Sequence, residues 1–279
     1  MPKKAILFMI ISALAFTLMN ITAKKMAHYS PFQMVFFRSL GTLVFTSSYL
    51  VYNKINYFGT HKKLLFFRSI AGMTSMLLFF TSLSYLPVGT AVTLRYLSPI
   101  FAAIFSVFLI KEKIVPIRWL FFILAFVGVL ILKLTDLQFN IIGLVVIIGS
   151  AVCGGLVYNS IKLIGDKEHP YTIVNHFMLL CALVGGVASI FHWKPIQSED
   201  YIPLLSLGLY GYVGQLNMTK AFQLGEINKV APIKYTEAIF TLLIGISFFG
   251  DSYSLWSLMG MGLIITALLL NLLFKPKGS

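Results

Sequence analysis

Charge is scarce in this chain, and negative charge is scarcest: Asp, Glu, Lys and Arg make up 11% of 279 residues, with nine acids against 22 Lys and Arg. Soluble domains carry about 25% charged residues, so an ordinary water-facing surface is excluded. Cysteine is almost missing. Cys153 and Cys181 both fall inside apolar runs without ligand spacing, which leaves them as small buried hydrophobes rather than a disulfide scaffold or a thiolate metal site. The five histidines, at positions 28, 61, 169, 176 and 192, mostly sit in loops or at helix boundaries and show no ligand spacing either. No metal and no other cofactor is implied. An intramembrane enzyme would need paired ligands or a nucleophile with its base at depth, and neither is present. Alternating ten-residue strands are absent, which removes a β-barrel. The net charge of +13 is spread over short loops and forms no aromatic-interleaved patch, so nucleic acid is not a partner.

What is present is apolar: 58% of the chain, with a mean hydropathy of +0.88. About 20 apolar residues cross a bilayer as a helix, and helices satisfy their own backbone groups where there is no water. Ten such runs are read, at about 5–23, 31–52, 64–85, 88–110, 115–133, 140–162, 171–191, 201–222, 228–249 and 254–274. The expectation is an all-α, multi-pass membrane protein. The first run, behind Lys3 and Lys4, has the outline of a secretory signal but continues to Thr22 and has an internal counterpart, so it is read as a helix.

That counterpart belongs to a repeat. With numbering shifted by 139 and no gap, Lys234-Tyr235 falls on Arg95-Tyr96, Ile239-Phe240 on Ile100-Phe101 and Asp251 on Glu112. In the same register Asn159 falls on Asn20, Pro170 on Pro31, Val174 on Val35, Gly211 on Gly72 and Leu216 on Leu77. The chain divides into residues 1–139 and 140–279, five helices each. An odd number of crossings per half makes the second half enter from the opposite side, so the halves form an inverted repeat. This is the architecture of secondary transporters, with the substrate site near the midplane between the repeats. With both termini inside, thirteen loop and terminal basic residues fall inside and four outside, which places both termini in the cytoplasm.

Five further cations lie within helices. Arg38 and Arg95 lie about 10–12 Å from the outer ends of their helices and Lys234 about 9–10 Å from the inner end of its own, where a charge costs at least about 2.5–3.5 kcal/mol and must face a partner or a wet cavity. Arg68 and Lys220 lie nearer helix ends, and both are read as snorkelling toward lipid phosphate. Glu237, three residues after Lys234, shares its helical face; the pair is either a mutual ion pair, a proton-coupled switch or a gate. Polar groups recur at Asn20, Tyr96, Tyr158, Asn159, Tyr212, Gln215, Asn217 and Tyr235, each as consistent with an interhelical hydrogen bond as with substrate contact. Equivalent pairs, Asn20 with Asn159 and Tyr96 with Tyr235, are favoured for a site on the repeat axis. Pro99, in the fourth run, removes a backbone hydrogen bond and allows a kink.

Ten helices in two halves, Pro99-Ile-Phe followed by Glu112, and the echo Ala238-Ile-Phe with Asp251 resemble the EamA-type carriers of the drug/metabolite transporter superfamily. Phe36-Phe-Arg38-Ser39, Phe67-Arg68-Ser69 and Ala231-Pro-Ile-Lys-Tyr-Thr-Glu237 are most similar to the branch of S-adenosylmethionine and organic-anion carriers, where arginine is expected at position 234. The resemblance implies alternating access around a central cavity in the cytoplasmic membrane. The expected substrate is a small polar organic metabolite, anionic because three cations (Arg38, Arg95, Lys234) face one acid. Tyr96, Tyr158, Tyr235, Asn20, Asn159, Gln215 and Asn217 complete the site, and Glu237 is assigned to coupling or gating. The alternative is a zwitterionic or cationic solute held by Glu237. The expected partners are the solute and membrane lipid, with a monomer as the default and a homodimer as the other state.

Overall fold

The computed structural model describes residues 3–109, 117–135, 140–224, 236–250 and 253–274, and among these every regular element is helical. In order they are α1 (Lys3–Lys25), α2 (Pro31–Tyr52), α3 (Lys62–Ser82), α4 (Val88–Arg95), α5 (Ser98–Leu109), α6 (Ile117–Thr135), α7 (Ile141–Ile164), α8 (Pro170–Phe191), α9 (Tyr201–Leu224), α10 (Thr236–Phe249) and α11 (Leu255–Leu273). Six stretches of the described residues are long and apolar enough to cross a membrane: Lys4–Lys25, Pro31–Tyr52, Lys62–Ser82, Val88–Leu109, Ile141–Ile161 and Pro170–Phe191. Residues 110–116, 136–139 and 225–235, with Glu112, Lys234 and Tyr235 among them, lie outside the description, as does Asp251.

Local sequence sets the helix starts. Pro31 and Pro170 each open a helix at its first turn, where a missing N–H breaks no bond. Asn140 caps α7 by accepting from Ile142 N at 2.8 Å, and Ser254 caps α11 through Ser257 N at 3.0 Å.

The fourth run is not one kinked helix. It breaks into α4 and α5, because Pro99 has no N–H to give the Arg95 carbonyl. The ladder tightens to three-residue bonds, Tyr96 N to Thr93 O and Leu97 N to Leu94 O, both at 3.1 Å. The orphaned Arg95 carbonyl is taken by the Ser98 hydroxyl at 2.7 Å.

Packing follows the register of 139. α1 lies on α9 as α3 lies on α7, α2 meets α9 as α3 meets α8, and α1 meets α10 as α7 meets α5, while α2 with α8 and α6 with α11 pair across the centre. One acceptor position repeats as well. Ser150 Oγ donates to Ser75 O at 2.7 Å, and Ser12 Oγ, one residue off the register position of Ser150, donates to Gly214 O, the counterpart of Ser75, at 2.8 Å. Gly41 and Gly208 let α2 and α9 cross backbone to backbone, since a Cβ on either would fall 2.7 or 2.5 Å from the other's Cα. Polarity is reversed relative to a soluble protein: Ser12, Ser39, Thr42 and Thr46 are fully buried, while Val44, Ile123, Val145 and Leu183 are more than half exposed. Lipid is the solvent such a surface fits.

Candidate functional site

At the centre, where the two halves of the chain meet, the helices leave a narrow, partly open cavity. Its lining obeys the repeat register. Met19 and Tyr158, Arg38 and Phe177, Met76 and Gln215, Phe79 and Met218, and Ser98 and Glu237 are five pairs of equivalent positions, and all ten residues line it. The cavity therefore sits on the axis relating the halves.

Three arginines line it. Arg38 on α2 is 3% exposed; its Nε donates to Met19 Sδ at 3.1 Å and its Nη1 to Met76 Sδ. Gly211 makes room, since a Cβ there would come within 2.9 Å of Arg38 Nε. Arg68 on α3 is 1% exposed, lies 4.1 Å above the Phe177 ring, and has Nε and Nη1 without partners. Arg95, half-buried at the end of α4, lies 4.4 Å over the Phe79 ring.

Glu237, in the first turn of α10, is 4% exposed. Its Oε1 accepts from Asn20 Nδ2 at 2.8 Å and its Oε2 has no partner. No described carboxylate comes within 4 Å of a guanidinium; the described ion pairs are His28–Asp200 and His61–Glu168. A desolvated cation over a ring gains about 2 kcal/mol, whereas burying an ion costs several. The rings and thioethers therefore leave the cavity short of anionic oxygen.

The expected site residues divide accordingly. Arg38, Arg95, Tyr158, Gln215 and Glu237 line the cavity, and Asn20 touches it through Glu237. Asn159 is off the cavity: its amide donates to Ala102 O at 2.9 Å and Gly155 O at 3.1 Å, clamping α5 onto α7. Its equivalent Asn20 instead bonds the Glu237 side chain of α10, so the pair ties α5 and α10 by different groups. Asn217 donates to Val213 O of its own helix at 2.7 Å, and Tyr96 is buried at the α4–α5 break without lining the cavity. Tyr212 stacks on Phe45 at 4.9 Å.

One expectation fails. Arg68 does not snorkel to lipid, because it is 1% exposed and lies on the face of α3 packed against α8, over the Phe177 ring. Lys220 is partly buried, with its Nζ 5.4 Å from the Tyr171 ring and 5.9 Å from that of Phe8. The signal for Arg68 was in the chain, since Phe-Arg-Ser stands at 37–39 and again at 67–69.

The profile of the EamA-like transporter family matches residues 3–134 and again 141–273. The chain belongs to the EamA-like transporter family. It is 24% identical to solute carrier family 35 member G1 of Homo sapiens, over 93% of this chain and 76% of that one. It is 25% identical to the pseudopaline exporter CntI of Pseudomonas aeruginosa strain UCBPP-PA14, over 95% and 94%, and 28% identical to an uncharacterized transporter of Helicobacter pylori strain J99, over 94% and 92%. A solved crystal structure shares the fold with a TM-score of 0.71 at 14% identity, covering 95% of this chain and 94% of that one. The relatives are transporters, not enzymes, and this EamA-like chain is a multi-pass membrane transporter.

In this EamA-like chain, loops of opposite halves are latched at each end of the bundle. At the end bearing Lys3, Glu168 accepts from Thr60 N at 2.7 Å, His61 N at 2.6 Å and the Thr60 hydroxyl at 2.8 Å, with His61 Nδ1 at 3.2 Å. At the other end Asp200 accepts from the Tyr29 hydroxyl at 2.7 Å and lies 3.3 Å from His28 Nε2. The two latches are register equivalents, Glu168 matching Tyr29 and Asp200 matching His61. Burial pushes the Glu168 carboxyl up, but the hydrogen bonds from His61 and Thr60 outweigh it and hold the group below the usual carboxylate range. Burial pushes the Tyr29 phenol up, with Asp200 beside it adding to the effect, so it remains a donor.

Proposed function

We propose that the protein is a secondary transporter for a small polar organic anion in the cytoplasmic membrane, working by alternating access of two inverted five-helix repeats, residues 1–139 and 140–279. The observation carrying this reading is the cavity on the repeat axis, with three arginines and, among the described residues, one carboxylate. Arg38, Arg68 and Arg95 supply the field and the charge-assisted bonds that offset desolvation of the solute. Tyr158 and Gln215 orient it; Lys234 and Tyr235, expected beside them, lie outside the described residues. Register-matched packing and one latch at each end support two alternately opening gates.

A second reading has one observation in its favour: Glu237 lines the cavity and its buried Oε2 has no partner. On that reading the solute carries an ammonium or sulfonium centre held by Glu237. Uptake into proteoliposomes separates the two. Saturable uptake of organic anions, abolished by Arg95→Ala with expression and folding unchanged, supports the anion carrier; uptake confined to zwitterions or cations, and lost in Glu237→Gln, supports the second.

A further inference from the structure

The cations are not clustered at one point but strung along one wall. α3 presents Arg68, Gly72, Met76 and Phe79 to the cavity, positions spaced by four, four and three residues on one helical face. Each guanidinium meets that wall at its own level. Arg68 Nη1 lies at Gly72, 3.3 Å from where a Cβ would stand; Arg38 Nη1 reaches Met76; Arg95 lies over Phe79. Gly72 to Phe79 is seven residues, about 10 Å along the helix. The levels of Gly72, Met76 and Phe79 stand about 6 and 4.5 Å apart along the helix, so Arg68 marks one end of the row, Arg95 the other, and Arg38 lies between them, somewhat nearer Arg95.

Arg68 is the part of this array that no internal partner explains. It is nine-tenths buried and more, its Nε and Nη1 are unpartnered, and it lines the cavity. Charge reinforces the point, since three guanidiniums against the Glu237 carboxylate leave two positive charges among the described lining residues.

Resting on the anion reading above, we infer that the cavity is a two-ended site for a solute with two separate anionic groups, a small dicarboxylate. Arg38 and Arg95 take one carboxylate and Arg68 over Phe177 takes the other. Arg68 is then the specificity residue that separates diacids from monoacids.

The test is binding to the purified full chain in detergent at neutral pH, read as the ligand-induced rise in melting temperature, with succinate, glutarate and adipate, their mono-amides, and methyl phosphate. The wild type is expected to bind the best diacid at least about ten-fold more tightly than its mono-amide. Arg68→Gln is expected to bring that ratio to about one, with the larger loss falling on the diacid. Gly72→Ala, whose methyl would come 3.3 Å from Arg68 Nη1 and 2.9 Å from Phe177, should weaken the diacid selectively and carries the test if Arg68→Gln does not fold. A wild type indifferent to the second carboxylate, an Arg68→Gln variant keeping the preference, or methyl phosphate binding as tightly as the diacid would each overturn the two-ended site and leave the anion reading standing. A wild type stabilised by none of these anions would overturn both.

Discussion

Glu237 is the one carboxylate among the described lining residues, which also include three arginines, and it is bonded on one oxygen by Asn20. If it carries the coupling proton, Glu237→Gln should transport at a rate independent of an imposed pH gradient while the wild type requires one. Equal gradient dependence in both would remove Glu237 from coupling. Residue positions were legible in the sequence as depth but not as direction. Arg68 lies one turn from a helix start, which suits a snorkelling side chain, and only the packing of α3 on α8 shows that it points inward. Asn159 shows the same limit: its register match to Asn20 was legible, but not that its amide bonds the α5 backbone away from the cavity.

At the scale of elements, the candidate site is framed by the α4–α5 break and by the two loop latches. Proline at 99 announced a bend, but the extent of the break was not readable, since it depends on the Ser98 hydroxyl taking the carbonyl that proline strands. The latches were not readable at all, because loop pairing between halves follows from helix packing. Breaking them one at a time should bias access in opposite directions. With Cys153 and Cys181 replaced by Ala and a Cys introduced at Ser98, Glu168→Gln should raise impermeant-maleimide labelling from the Lys3 end, and Asp200→Asn from the other. Labelling that changes alike from both ends would contradict separate gates. Glu168 also predicts an acid limb. Its carboxyl titrates below the usual range in the folded protein, so the stability it contributes is full above the ordinary carboxylate pKa and is lost as pH falls through the lowered value. Glu168→Gln should flatten the fall in melting temperature on acidification. At the α2–α9 crossing, Gly208→Ala places a Cβ 2.5 Å from Gly41 Cα and should cost about 1–3 kcal/mol by overpacking, seen as a lower melting temperature with the wild-type ligand series unchanged in order.

At the scale of the molecule, the register of 139 was visible in a handful of Gly, Pro and polar matches, and the same register organises which helices touch and which residues line the cavity. Family membership was legible for the same reason, since the matches are spread along both halves. The site was legible in kind, as cations at depth, but its membership depended on which faces the helices turn inward. The central claim, an anion carrier built on the arginine-lined axis, is tested most directly by proteoliposome uptake of labelled dicarboxylates and tricarboxylates beside amino acids and S-adenosylmethionine, in wild type and Arg95→Ala. The account predicts saturable uptake of the acids by the wild type and none above background in the variant. Wild-type rates in Arg95→Ala, or uptake of the cationic and zwitterionic solutes alone, would contradict it.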